Sequence, residues 1–275
     1  MPACYEAGMT DRELFAALVE RVEPGSRLVR TWELKGGVSA QVTALELERA
    51  DGRTERLVVR RHGARDLARN PHIAADEVRL LAVLRAAGVP APAPRYLDAD
   101  GDVFGTPCLV VDFIEGEPAT GREPELVAQL ATVLGRIHAV GTTAELSFLR
   151  GLALPALSER NAPVLLHGDF WPGNTLWNDG RLVAVIDWED AAVGDPLADL
   201  ANTRLELLWA LGSEAMEDFT RRYRAVAPAV DCADLPDWDR WAGLRAEPGI
   251  AEWGLDADTE RSMRAELDRF LGRAS

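Results

Sequence analysis

The stretch from Leu165 to Asp187, LLHGDFWPGNTLWNDGRLVAVID, restricts the fold of this chain more than any other. Apolar residues flank a carboxylate, Asp169, and the Trp-Pro-Gly break after it keeps the loop out of a helix. The Asn178-Asp179-Gly180 turn then joins TLW to RLVAVI as a hairpin, because these residues accept the positive φ values of a tight turn. A hairpin brings Asp187 back toward Asn174. Strict pairing overshoots by a few residues, so the strand must curl back for the two to meet. The expected product is an amide oxygen beside a carboxylate, hard oxygen donors suited to Mg²⁺. Asp169, on the same loop, would accept the proton of an attacking hydroxyl. Phosphoryl transfer asks for little beyond such positioning and charge neutralisation. The plainer reading of these three residues is an Asx turn with solvated hairpin ends.

With 275 residues the chain can hold one large domain or two lobes. No apolar run reaches the roughly 18 residues of a membrane span. The N-terminal residues lack the basic and apolar regions of a signal peptide, so no export is expected. Three scattered cysteines without C-x-x-C spacing fit a reducing cytoplasm. The net charge of −15 opposes binding to a phosphate backbone, so no nucleic-acid partner is expected, and no membrane partner either. Lys35 is the only lysine; the other basic residues, histidines apart, are arginines.

Texture changes near residue 115. Thr10 and Glu13 have capping-box spacing, which predicts a helix from there. Residues 27–34, 40–47 and 56–60 read as strands, separated by KGGVS and by a turn at Asp51-Gly52. Residues 73–87 have helical periodicity, VPAPAP (89–94) reads as a rigid connector, CLVVDFI (108–114) as a buried strand and EGEP (115–118) as a link. Helices are expected over 123–140, 196–211, 213–226 and 257–271. The expected division is a β-rich lobe over 1–115 and a helical lobe over 116–275.

H-G-D-x-x-x-x-N followed by I-D-W resembles the signature of the aminoglycoside phosphotransferase family, small-molecule relatives of the protein kinases. The likeness runs through roughly residues 27–211: GGVS (36–39), VVRR (58–61), DEVRLL (76–81), LVVDFIEGE (109–117), LGRIHAV (134–140) and GDPLADLA (194–201). It implies an α+β, bilobal kinase-like fold, with an antiparallel β-sheet N-lobe and a mainly helical C-lobe. It makes Asp169 the catalytic base or hydroxyl-orienting group, and Asn174 and Asp187 the magnesium ligands. Gly36, Gly37 and Ser39 would offer backbone N–H groups to phosphates, Arg60 and Glu77 would form the phosphate-contacting pair, and Asp112 and Ile114 would read a purine edge. The implied reaction moves the γ-phosphoryl group of ATP or GTP to a hydroxyl of a small molecule. The resemblance departs at Arg60, where protein kinases and the resistance enzymes carry lysine; Lys35 precedes the glycine loop and cannot substitute. A second reading is therefore a non-catalytic nucleotide-binding relative acting through a partner.

Other polar residues have structural readings. His167 is expected to bond loop backbone, His138 to sit in the core, and Asp195 to cap the helix that Pro196 begins. Trp171 and Trp188 line an acceptor pocket or simply pack. A His-x-Asp iron site would need a second histidine downstream, and none follows His167. Glu189, Asp190 and the acidic stretch 231–239 hint at a cationic acceptor, though a solvated surface explains them equally well.

Overall fold

The computed structural model describes residues 9–34, 40–119, 124–152 and 160–273. The chain divides into two compact units, Met1–Ala86 with Ala91–Ile114, and Ala87–Pro90 with Glu115–Ser275.

In the first unit, helix α1 (Asp11–Val22) opens on the Thr10 capping box, with the Glu13 carboxylate 2.7 Å from the Thr10 amide. Strands β1 (Arg27–Glu33), β2 (Ala40–Glu48) and β3 (Thr54–His62) follow, then short helix α2 (Ala64–Arg69), helix α3 (Ile73–Ala86), and strands β4 (Pro94–Asp98) and β5 (Cys108–Asp112). The five strands form an antiparallel sheet in the order β1-β2-β3-β5-β4. Strand alternation sorts β3 into two faces. Leu57 and Val59 join the core that α1 covers with Leu14, Phe15, Leu18 and Val19. Arg60 and His62, of opposite parity to that pair, reach Glu77 of α3 instead. One expectation needs correcting: Pro94 does not belong to an irregular connector but starts β4. Proline is tolerated there because β4 is an edge strand, and its register slips between Pro94 and Tyr96.

In the second unit, Glu117–Pro118 is not a bare link but a two-residue strand, β6, paired with the hairpin below. Helix α4 (Pro124–Ala139) precedes strand β7 (Val164–Leu166), the hairpin strands β8 (Thr175–Asn178) and β9 (Arg181–Val185), and β10 (Ala192–Gly194), which pairs with β7. Four helices complete the unit: α5 (Leu197–Leu211), α6 (Ser213–Val226), α7 (Leu235–Ala246) and α8 (Ala257–Arg273). Helix α5 is buried along almost its whole length and packs on α6, α7 and α8. Its Arg204 forms a buried ion pair with Asp239 of α7 at 3.0 Å and also contacts Thr220 of α6, tying three helices together. Helix α7 lay unread in the sequence. Part of the acidic stretch 231–239 belongs to it, and those acids are used internally: Asp231 and Asp234 face Arg160, and Asp239 faces Arg204.

Candidate active site

The loop after β7 is held by hydrogen bonds that leave its residues little choice. Gly168 has φ +85°, and a Cβ there would lie 2.3 Å from the Asp190 carbonyl oxygen, so only glycine fits. His167 is fully buried, with Nε2 3.0 Å from the Ile186 carbonyl and Nδ1 accepting the Asp169 amide at 3.2 Å. Those roles require a neutral imidazole protonated on Nε2. Its ring lies 4.4 Å from that of Trp188, whose indole N–H donates to the Val185 carbonyl, so Trp188 is a packing residue.

The loop turns again at Pro172–Asn174 through one 3₁₀ turn, closed by the Asn174 amide on the Trp171 carbonyl. A Cβ at Gly173 would collide with the Trp171 ring at 2.3 Å, so glycine lets that ring cover the turn. The Asn174 side-chain NH₂ donates to the Asp169 carbonyl oxygen at 2.9 Å and to Asp169 Oδ2 at 3.0 Å. With its donors spent on Asp169, the amide of Asn174 keeps Oδ1 as an acceptor for a cation.

The hairpin places Asp187 economically. Asp179 (φ +47°) and Gly180 (φ +71°) make the turn, and one extra residue is absorbed where the register shifts between Leu176 and Trp177. Thr175 therefore pairs with Val185, and the Ile186 amide donates to the Asn174 carbonyl at 2.9 Å. Asp187 follows with φ +67°, a left-handed conformation in which few non-glycine residues rest. The overshoot expected from strict pairing is thus corrected by a bulge and a left-handed residue. Asn174 and Asp187 form a set of one amide oxygen and one carboxylate. This hard, two-ligand set fits Mg²⁺, which keeps several waters.

Two residues that sequence reasoning passed over brace this loop from α5. Asp199 accepts the His167 amide at 2.7 Å on Oδ2 and the Gly168 amide at 2.9 Å on Oδ1. One turn later the Thr203 hydroxyl stands 2.8 Å from the Phe170 carbonyl. Behind Asp199 lies His138, with Nε2 at 3.3 Å, and behind His138 the Tyr223 hydroxyl at 2.6 Å. Burial pushes the Asp199 carboxyl up, but His138 and the main-chain donors outweigh it and hold the group below the ordinary range. The legible signal was an i, i+4 pair of polar residues inside a helix that is otherwise largely apolar and buried. Asp195 accepts the Leu197 amide at 2.9 Å from one residue ahead of the expected place, since Pro196 is the N-cap and Leu197 the first residue of α5.

Around Asp169 the charges are uneven. Burial raises its carboxyl above the ordinary range, and the Asp190 and Asp187 carboxylates add to this against the pull of Arg245. Arg245 of α7 lies over the Trp241 ring and donates to the Gly168 carbonyl at 3.2 Å. Burial and the charge of Asp169 push Glu206 of α5 up to about 8.

In the first unit, Arg60 lies 3.5 Å from Glu77, and His62 Nε2 lies 3.1 Å from the other oxygen of the same carboxylate. Burial pushes Glu77 up, but Arg60 and His62 together hold it below the ordinary range. His62 was not foreseen. Asp112 ends β5 with its side chain 2.8 Å from Arg95, and Ile114 follows outside the strand. Gly36, Gly37 and Ser39 lie outside the described residues.

The family model described as the phosphotransferase enzyme family matches residues 32–160 and 148–244. Among curated proteins, acyl-CoA dehydrogenase family member 10 of Mus musculus is 26% identical over 189 residues, covering 53% of this chain and 18% of that protein. The acyl-CoA dehydrogenase family member 11 of Gallus gallus is also 26% identical, over 203 residues, 55% of this chain and 25% of its own length. The chain thus spans a quarter or less of these relatives. Among solved structures, a macrolide 2'-phosphotransferase from Brachybacterium faecium superposes with a TM-score of 0.61 at 20% identity, covering 93% of this chain and 98% of that one. An aminoglycoside 2'-phosphotransferase-IIIa in its GDP complex gives 0.64 at 17% identity, over 97% and 100%. Choline kinase from Cryptosporidium parvum gives 0.64 at 12%, over 96% and 95%. The fold is that of these kinases, and by the match across most of its length the chain belongs to the phosphotransferase enzyme family.

Proposed function

We propose that this protein transfers the γ-phosphoryl group of ATP or GTP to a hydroxyl of a small molecule. The observation that carries the reading is the fixed pairing of Asp169 with Asn174 on a loop whose amides are held by Asp199. Asp169 orients the acceptor hydroxyl and takes its proton as the oxygen attacks phosphorus; a carboxyl raised above its ordinary range is the better base. Asn174 and Asp187 would hold Mg²⁺, which neutralises charge on the phosphates when bound. Arg60, kept near Glu77, supplies a cation to the phosphates, and Gly36, Gly37 and Ser39 supply backbone N–H groups. Asp112 and Ile114 present main-chain groups to the purine.

Acidic residues do not decide the acceptor. Asp190 faces Arg150, and the acids of 231–239 that form ion pairs spend their charge on Arg160 and Arg204. Arginine at position 60 favours one competing reading, a nucleotide-binding relative without turnover. A coupled nucleotide-turnover screen over hydroxyl-bearing metabolites and antibiotics separates the two. Turnover that depends on one acceptor and is lost in Asp169→Asn supports transfer; nucleotide binding with no turnover on any acceptor supports the competitor.

A further inference from the structure

Arg245, in the last turn of α7, is exposed, yet two contacts fix its guanidinium. Its Cζ lies 5.4 Å from the centre of the Trp241 ring, and one N–H group donates to the Gly168 carbonyl at 3.2 Å. It forms no ion pair among the described residues, so most of its donors are uncommitted. Gly168 immediately precedes Asp169, and Asp169 feels the charge held there. Glu206 approaches the same loop from α5. It lies three residues beyond Thr203 on the same helix face, and the Thr203 hydroxyl meets the Phe170 carbonyl. The Glu206 side chain is partly exposed and has neither hydrogen bond nor ion pair among the described residues. Asp169 and Arg245 both act on it electrostatically. The three groups are near neighbours, and no two of them are bonded together. Polar groups left unspent beside a catalytic carboxylate are the ones that hold its substrate.

The sign of the bound group follows from which charges can be switched off. Arginine stays protonated in a protein, so the positive charge of Arg245 is permanent. Glu206 is not so bound: burial and Asp169 keep it protonated up to about 8, and in that form it donates a hydrogen bond. A cationic group would be repelled by the guanidinium, whereas an oxyanion would find donors on both residues. We propose that Arg245 and Glu206 hold a carboxylate of the acceptor, so that the substrate is a hydroxy acid whose hydroxyl reaches Asp169. The guanidinium supplies the charge and a fork of N–H donors, and Glu206 supplies an O–H. This rests on the phosphotransferase reading, and it differs from the cationic acceptor hinted at by the acidic residues of the sequence.

The test is acceptor-dependent turnover by the full chain, with Mg-ATP and with Mg-GTP, over hydroxy acids of graded length. Each acid is compared with its primary amide and with the amino alcohol of the same skeleton. The acids are expected to show kcat/KM at least about tenfold above both counterparts. In Arg245→Gln, whose amide can still donate to Gly168, that preference should fall about tenfold, chiefly through the acceptor KM. Arg245→Lys, which keeps the charge without the fork, should restore part of it. Glu206→Leu should also raise the KM for the acids, and Glu206→Gln, which keeps a donor, should raise it less. The acid-to-amide ratio is read within each protein, so it does not depend on the fraction that is folded. Amides or amino alcohols used as well as the acids overturn the proposal. So does an Arg245→Gln loss that is equal for all acceptors at unchanged acceptor KM, which puts the cation on the transferred phosphoryl group. Both results leave the phosphotransferase reading standing, whereas a chain that phosphorylates no acceptor of any class refutes that reading and this one together.

Discussion

Glu206 offers the sharpest quantitative test of the site's electrostatics. It lies on α5, one turn beyond Thr203, whose hydroxyl contacts the Phe170 carbonyl, and burial and then the charge of Asp169 move it from 4.5 to about 8. Below about pH 4.5 the carboxyl is protonated in both the folded and the unfolded chain, and its contribution to stability is intact. Between 4.5 and about 8 the unfolded chain releases a proton that the folded chain keeps, so stability falls as pH rises. Above that interval both states are ionised and the loss is complete. The interval spans about 3.5 pH units, which at ~1.36 kcal/mol each sets a ceiling of about 5 kcal/mol. Water entry and local relaxation reduce it, so about 2–4 kcal/mol is the realistic range.

Glu206→Gln keeps the shape of the neutral acid and cannot ionise. Urea unfolding of both proteins near pH 5 and near pH 8.5 should therefore show little difference at the lower pH. At the higher pH the variant should be the more stable by about 2–4 kcal/mol. Because Asp169 contributes part of the displacement, the gap should narrow when both proteins also carry Asp169→Asn. A gap that does not change with pH would mean that Glu206 is solvated and ionised in the fold, and the reasoning fails.

Two further substitutions probe the brace and the helix frame. Asp199→Ala strips the acceptor from the His167 and Gly168 amides, each buried N–H being worth about 1–3 kcal/mol when orphaned. Turnover should fall by at least about a hundredfold, while calorimetric nucleotide affinity changes far less, since the brace acts on Asp169's loop. Asp239→Ala leaves Arg204 buried without its carboxylate and should cost about 3–5 kcal/mol in urea unfolding. The double variant Asp239→Leu with Arg204→Met should recover most of that loss, because apolar replacements of a buried pair remove the stranded charge.

What the sequence disclosed follows from where its information lies. The hairpin could be read because Asn178-Asp179-Gly180 is a local signal, and its conformation needs nothing from the rest of the chain. The bulge that corrects its register could not, because Val183 looks like any strand residue and only pairing reveals it as extra. Asp199 escaped for a related reason. Its partners are main-chain amides, which carry no residue code, and an aspartate early in a helix is ordinarily explained by the helix dipole. Helix α7 was hidden by Pro236, Gly243 and its acids, all of which argue against a buried helix until Arg204 is seen to reach Asp239. His62 was one basic residue in a basic run, and only α3 packing on that face of the sheet gives it a carboxylate.

Arginine at position 60 weighs less against catalysis than the departure from lysine first suggests. Lys35 is the only lysine in a chain with 30 lysines and arginines, so arginine is the cation of this sequence almost everywhere. A substitution that follows the composition of the whole chain carries little information about the loss of one activity. What it does impose is chemical: a planar five-donor cation sits where a compact one usually does, beside a buried carboxylate that invites a fork. Asp187 holds a left-handed backbone, a local cost met where the hairpin returns the chain to Asn174.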